Sequence, residues 1–222
     1  MKVNVVENVL QVNDELAAKV RSTLQEAGVP AINVISAPGS GKTTLIERAI
    51  ESLGQEFRLA VIEGDPDTNL DAERIAALDV PVVQVNTAGG CHLEANLVLR
   101  GLESFDLTSL DLIIIENVGN LVCPVSFDLG ENRRVAVVSV TEGHDKPAKY
   151  PALFRSADVV LLNKIDLLPH IDFDETFFHD SIRRLNKDVQ IMRLSCRSGE
   201  GMDAWSEWLR SCVSKKATPE GA

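Results

Sequence analysis

A glycine-rich segment early in the chain, 36–44, reads S-A-P-G-S-G-K-T-T and directly follows an apolar run. It matches the phosphate-loop pattern G-x-x-x-x-G-K-[S/T] except at Ser36, which stands at the first glycine position. Glycines let backbone N–H groups curl around phosphates, Lys42 would reach the β- and γ-phosphates, and the Thr43 hydroxyl would ligate Mg²⁺. The residues predicted to bind the nucleotide phosphates are Gly39, Ser40, Gly41, Lys42, Thr43 and Thr44.

A second segment, N-K-I-D, has the groups needed to read a purine base and resembles the N-K-x-D element of G proteins. The Asp166 carboxylate can accept hydrogen bonds from guanine N1–H and the 2-amino group. Adenine offers no such pair of donors, so we expect a strong preference for guanine. Asn163 would support the loop, and the stem of Lys164 would cover the face of the base. Ser195 and Cys196 follow the last apolar run, where G proteins place a backbone contact to guanine O6.

Two further apolar runs end in carboxylates that suit Mg²⁺, the first followed by E-G-D and the second by E-N-V-G. Parallel α/β sheets bind ligands at the carboxyl ends of their strands, and Mg²⁺ prefers oxygen ligands. We predict that Thr43, Asp65 and Glu116 hold Mg²⁺ and that Lys42, Asp65 and Glu116 form the catalytic set. Asp65 could instead orient the attacking water or serve as a turn residue. Gly119 would swing its N–H onto the γ-phosphate, which exists only before hydrolysis.

Thiol and imidazole side chains form a candidate transition-metal site. Cys91 and His92 follow two glycines that supply a turn, and Cys123 comes soon after the predicted switch glycine. Two thiolates and an imidazole suit Zn²⁺ or Ni²⁺, and three ligands leave one position open to water or to a second subunit. The spacing equally permits a buried Cys123 and a capping His92. Cys196 and Cys212 have no neighbouring histidine and are interpreted as ordinary thiols.

The elements that must position these residues are short apolar runs alternating with helix-like stretches. The runs are β-branched and apolar throughout, as in parallel strands covered on both faces. The predicted strands are 31–35, 59–62, 80–85, 112–115, 135–140, 159–162 and 189–194. The predicted helices are 9–28, 43–53, 69–78, 92–103, 149–156, 174–187 and 201–213. The sequence predicts an α/β fold of the P-loop NTPase type, a mostly parallel central sheet of about seven strands flanked by helices, plus an N-terminal helix.

The chain has 222 residues, with 22 Lys and Arg against 33 Asp and Glu, for a formal net charge of −11. We predict a single P-loop GTPase domain over 1–222, with an N-terminal helical extension at 1–28 and a frayed tail at 213–222. The acidic composition disfavours nucleic acid and anionic lipid as partners, and no apolar run approaches the roughly 18 residues of a membrane span. The absence of a signal-peptide core and the wide cysteine spacing favour the cytoplasm.

Several segments together resemble one known family, the hydrogenase maturation GTPases called HypB. The resemblance spans roughly residues 10–210 and rests on I-E-N-V-G-N-L-V-C-P, the Cys-His pair, S-V-T-E-G and S-G-E-G-M-D. It implies a slow GTPase that binds GTP or GDP with Mg²⁺ and helps deliver nickel to the large-subunit precursor of [NiFe]-hydrogenase, working with the nickel-binding partner HypA. It also implies a homodimer favoured by nucleotide and metal. Near the dimer interface it places a Ni²⁺ or Zn²⁺ site that matches Cys91, His92 and Cys123.

Other functions remain open from the sequence. A sister metallochaperone GTPase would serve urease or a cobalamin enzyme, although the E-N-V-G-N-L-V-C-P run favours the hydrogenase factor. A P-loop small-molecule kinase would prefer ATP and need a lid. A metal-binding adaptor with a vestigial nucleotide site would not hydrolyse GTP. Finally, the chain could be a GTPase timer that acts on a partner carrying the nickel.

Overall fold

The computed structural model describes residues 9–66 and 68–213. The predicted N-terminal helix is present as α1 (Val9–Ala27). The residues before Val9 and nearly all of the tail predicted to fray lie outside the described residues. Among the helices that are described, none combines the length and apolar character needed to cross a bilayer.

Seven strands form one sheet in the order β3-β2-β4-β1-β5-β6-β7, and every pairing within it is parallel. The strands are β1 (Ala31–Ser36), β2 (Leu59–Asp65), β3 (Val82–Asn86), β4 (Leu112–Glu116), β5 (Arg133–Ser139), β6 (Val159–Asn163) and β7 (Gln190–Arg193). This confirms the predicted fold class and strand number. Strand β2 runs to Asp65, past the predicted end at residue 62, because Glu63 continues to pair with β4 and the last two residues pair with β3. Strand β3 begins at Val82, after Pro81, which has no N–H to donate to a ladder.

The helices cover both faces of the sheet. They are α2 (Lys42–Leu53), α3 (Leu70–Ala76), α4 (Ala95–Leu102), α5 (Lys146–Lys149), α6 (Pro151–Ser156), α7 (Glu175–Leu185) and α8 (Met202–Val213). The helix predicted over 149–156 is two short helices, because Pro151 disfavours helical geometry at Tyr150. The helix predicted from residue 92 begins only at Ala95, since Glu94 has an extended backbone and the residues just before it are not helical.

The core lies on both sides of the sheet, which explains why the strands are continuously apolar. On one face, Ile32 and Val34 of β1 pack with α2 and α8. On the other face, α1 and α4 cover the half containing β2 and β4, and α6 and α7 cover the half containing β5 and β6. Strand β1 lies between β4 and β5, so the loops after β1, β2, β4 and β6 converge at the carboxyl edge.

Candidate nucleotide and metal sites

The phosphate loop joins β1 to the amino terminus of α2, where backbone N–H groups and the helix dipole favour an anion. Gly39 and Gly41 have φ of 75° and 97°, a left-handed geometry that glycine adopts without strain. A Cβ at Gly41 would also lie 2.6 Å from the Asn163 amide nitrogen, so the loop has no room for a side chain there. Lys42 Nζ donates to Ser36 Oγ at 3.2 Å, and the serine at the first glycine position thereby holds the lysine over the loop.

The base-reading loop is hydrogen-bonded to the phosphate loop even though the two are far apart in sequence. Asn163 Nδ2 donates to the Ser40 carbonyl at 2.8 Å, and Lys164 Nζ donates to the Gly39 carbonyl at 2.6 Å. Lys164 has φ of 62°, which turns the chain sharply after β6. The structure thus brings the two predicted nucleotide segments together, with the lysine stem extended from one to the other.

The side chain predicted to recognise guanine is already oriented. Ser195 Oγ donates to Asp166 Oδ1 at 2.6 Å, and Cys196 N donates to Asn163 Oδ1 at 3.3 Å. Burial raises the pKa of the Cys196 thiol to about 11, which agrees with its interpretation as an unreactive thiol. Thr44, the last predicted residue of the phosphate loop, accepts a hydrogen bond from Arg74 Nη2 at 3.1 Å.

The predicted magnesium ligands lie at the ends of β2, β4 and the phosphate loop. Thr43 Oγ1 donates to Glu116 Oε1 at 2.8 Å. Burial raises the pKa of Glu116 to about 7, against the field of Lys42 and the hydrogen bond from Thr43. Asp65 Oδ1 accepts from Thr68 N at 2.6 Å, so in this structure Asp65 also supports the turn that follows β2.

Glu63 is a site residue that sequence reasoning missed. It is the register partner of Glu116 across β2 and β4 and is only 2% exposed. Burial, reinforced by the charge of Glu116, raises the pKa of Glu63 to about 8. Within residues 9–66 and 68–213, one buried oxygen on each of these two carboxyls has no hydrogen-bond partner. Paired buried carboxyls of this kind fit a divalent cation, and a strand ending in E-x-D beside a strand ending in Glu was the available signal.

Glu142 is a second residue that was missed. Its Oε1 accepts from Ser40 Oγ of the phosphate loop at 2.6 Å and from Ser139 N at 2.8 Å. Ser139 and Glu142 form a capping box at the end of β5, and the S-x-x-E spacing could have indicated it. Glu142 therefore fixes the phosphate loop from the side opposite β4.

Gly119 packs directly on the phosphate loop. A Cβ there would meet Pro38 at 3.0 to 3.2 Å, so the close approach depends on glycine. The turn continues through Asn120, whose Oδ1 accepts from Val122 N at 2.8 Å, and then reaches Cys123. The predicted switch glycine therefore lies against the phosphate loop, and Cys123 lies on the same turn.

Cys91, His92 and Cys123 come together as the sequence predicted, with their ligand atoms all within 4.8 Å of one another. Cys91 Sγ lies 3.6 Å from His92 Nδ1, and the His92 ring stacks on Phe127 with centroids 3.9 Å apart. The neighbouring Cys123 thiol raises the pKa of Cys91. Cys91 therefore holds its proton more tightly than an ordinary thiol does, and a thiophilic metal bound by the cluster would displace that proton.

Comparison with known proteins gives a consistent result. The family described as "CobW/HypB/UreG, nucleotide-binding domain" matches residues 30–193. The chain is 52% identical over 207 residues to the hydrogenase maturation factor HypB of Azotobacter chroococcum mcd 1, covering 93% of this chain and 68% of that protein.

Two solved structures resemble the chain closely. HypB from Archaeoglobus fulgidus superposes with a TM-score of 0.86 at 40% identity, covering 92% of this chain and 100% of the other. HypB from Helicobacter pylori, solved in complex with nickel, superposes with a TM-score of 0.87 at 32% identity, covering 95% and 99% respectively. The similarity therefore extends over the whole described fold and is not confined to the phosphate loop.

Proposed function

Because the chain belongs to the HypB hydrogenase maturation factors of the CobW/HypB/UreG family, we propose that it is a GTP-hydrolysing metallochaperone. In this proposal its nucleotide state controls nickel delivery during [NiFe]-hydrogenase maturation. The observation that carries the proposal is the path from Pro38 through Gly119 to Cys123, because one short turn touches both the phosphate loop and the metal-ligand cluster. A change at the γ-phosphate therefore has a direct route to a thiol ligand.

GTP would lie along the carboxyl edge of the sheet. The phosphate loop and the amino terminus of α2 bind its phosphates, and Asp166 accepts the two donors of guanine. Thr43, Asp65 and Glu116, with Glu63 behind them, would hold Mg²⁺, which neutralises phosphate charge when bound. The unpartnered buried oxygens of Glu63 and Glu116 support this assignment.

In this proposal, hydrolysis uses residues at the carboxyl edge of the sheet. Lys42 stabilises the charge that develops on the transferred phosphoryl group, and Asp65 orients the attacking water. The Gly119 N–H binds the γ-phosphate and is released when phosphate leaves, so Cys123 moves relative to Cys91 and His92. Nickel held by the three ligands would then pass to an acceptor, either a HypA-like nickel protein or the large-subunit precursor of the hydrogenase.

The same proposal includes a cytoplasmic homodimer that nucleotide and metal favour. Cys91 is exposed and Cys123 is half-buried, so a second copy can approach the cluster and complete the coordination left open by three ligands. Val122, next to Cys123, is 59% exposed and would be covered in such an arrangement.

The test is a titration of the metal-free protein with Ni²⁺ and with Zn²⁺, in the presence of GDP and of a non-hydrolysable GTP analogue. We expect different affinity or stoichiometry in the two nucleotide states and at least about a tenfold weakening in Cys123→Ala. Cys212→Ala is the matched control, because it removes a thiol outside the cluster. Metal binding that is indifferent to both nucleotide and Cys123 would contradict the proposal and favour a GTPase timer for a nickel-carrying partner.

A further inference from the structure

The residue after His92 connects the metal-ligand loop to the nucleotide site. The Leu93 N–H donates to Asn117 Oδ1 at 3.1 Å, and Asn117 directly follows Glu116. The Leu93 side chain is fully buried and lies under Gly64, where a Cβ would meet it at 2.7 Å. The Cys91–His92 loop is therefore fixed to the ends of β4 and β2, immediately beside two carboxylates of the proposed magnesium site.

Asn117 has a single possible orientation, set by a chain of buried groups. Asn33 Nδ2 donates to Glu131 Oε1 at 3.2 Å, because a carboxylate can only accept. Asn33 Oδ1 therefore accepts from Asn117 Nδ2 at 3.2 Å. The Asn117 Oδ1 is left facing the N–H groups of Leu93 and Val118, the latter at 3.0 Å. Asn117 is 1% exposed, so water cannot replace these bonds.

The other half of the metal cluster has a different kind of support. Cys123 lies beyond Gly119, which packs closely against Pro38 of the phosphate loop. Asn117 and Gly119 thus belong to one turn but hold the two parts of the cluster, the Cys91–His92 limb and the 119–123 segment. Asn117, directly after β4, holds Cys91 and His92 to the sheet. Gly119, further along, holds Cys123 to the part of the site where the γ-phosphate comes and goes.

We propose that Asn117 is the positioning residue that couples nucleotide state to metal affinity. It keeps the Cys91–His92 limb stationary on β4, so that movement of the 119–123 segment changes the separation of the thiols. Without this anchor, the Cys91–His92 loop would follow Cys123, and the metal would be bound alike in both states. This inference rests on the nucleotide-dependent metal binding of the proposed function.

The experiment compares Asn117→Ala with Asn33→Ala in the full chain. Both substitutions break the same buried polar chain, but only Asn117→Ala removes the acceptor of the Leu93 N–H. The measured quantity is the ratio of apparent nickel dissociation constants with GDP and with a non-hydrolysable GTP analogue. We expect a ratio of at least about fivefold, in either direction, in the wild type. The ratio should persist in Asn33→Ala and shrink to within about twofold of unity in Asn117→Ala.

Hydrogen exchange at the Leu93 amide in the wild-type protein gives a second readout that does not depend on a variant folding. We expect protection comparable to that of β4 amides with either nucleotide, and exchange as fast as that of the neighbouring exposed amides would overturn the inference. A wild type without nucleotide dependence would overturn the proposed function and this inference together. A responsive wild type whose Asn117→Ala variant is equally responsive, or whose two variants lose the response equally, would overturn the role of Asn117 alone.

Discussion

The nucleotide site and the metal-ligand cluster lie close together but are built differently. The phosphate and base loops are joined by hydrogen bonds of 2.8 and 2.6 Å from Asn163 and Lys164. The metal cluster draws on two loops, and its exposed Cys91 and half-buried Cys123 are side chains at their surface. The nucleotide loops are joined by hydrogen bonds, whereas the two metal loops contact each other through the stack of His92 on Phe127 and through the ligand atoms themselves.

This difference assigns the two sites different tasks. Cross-linked loops on buried strand ends hold their geometry before ligand arrives, so binding energy is not spent on ordering them. Ligands on two loops change their separation when either loop moves by a small amount, and metal affinity is sensitive to such distances. The nucleotide site is suited to recognise its ligand, and the metal cluster is suited to change its metal affinity when a loop moves.

The largest effect is expected from Asp166→Ala, which tests whether the nucleotide site recognises guanine through a carboxylate that is positioned before the ligand binds. Two hydrogen bonds to a carboxylate are lost, so we expect GTP affinity to fall by about 10²- to 10⁴-fold and the preference over ATP to disappear. Metal affinity without nucleotide should be unchanged. Competition binding with GTP and ATP measures this directly.

The control for that change is Ser195→Ala, which leaves the carboxylate and removes only the hydroxyl that orients it. We expect less than about a tenfold loss in GTP affinity, because the charged hydrogen bonds to guanine remain. Equal losses in the two variants would mean that loop order, and not the carboxylate, governs recognition.

Acidification should weaken nickel binding, because the metal cluster binds its ligand through thiolates. Each thiol gives up a proton to the solvent on metal binding, so nickel affinity should fall by up to about 100-fold per pH unit between pH 8 and 6. The raised pKa of Cys91 beside Cys123 keeps that thiol protonated across this window. Isothermal titration in buffers of different ionisation enthalpy would count the protons released, and a count of zero would exclude thiolate coordination.

The sequence predicted much of this arrangement because the relevant signals are local. Apolar runs mark strands covered on both faces, and the phosphate and base loops follow those strands as contiguous motifs. The bonds from Asn163 to Ser40 and from Lys164 to Gly39 are not readable from either motif, because they depend on β1 and β6 flanking β5.

The wrong helix start and strand end also arise from contacts between residues that are distant in sequence. The helix predicted from residue 92 begins later because Glu94 has an extended backbone, and the Leu93 N–H before it donates to Asn117, a residue distant in sequence. Glu63 was placed in a loop because its strand was ended at Ile62, whereas register with Glu116 carries β2 further. Helical periodicity and strand composition say nothing about such pairings, so the Leu93–Asn117 bond and the place of Glu63 beside Glu116 were not predicted.

The last predicted effect concerns the stability of the nucleotide-free protein. Glu63 and Glu116 have pKa values raised to about 8 and about 7, above the ordinary carboxyl value that they recover on unfolding. Between pH 5 and 8 the folded state therefore holds protons that the unfolded state has released, and stability falls as pH rises. We expect a loss of several kcal/mol over this range, with about 6 kcal/mol as the upper limit that these two pKa values set, measured by urea unfolding without Mg²⁺.

Glu63→Gln isolates the cause, because it removes one of the two facing charges and keeps a similar shape. The variant should lose much of the pH slope and be more stable than the wild type at pH 8 without ligand. With Mg²⁺ and GDP the order should reverse, since a cation then compensates the wild-type pair and finds one charge fewer in the variant. A variant that is less stable in both conditions would show that Glu63 is held by contacts unrelated to its charge. The nucleotide site would then be prearranged in its loops without also being electrostatically prepared for a divalent ion.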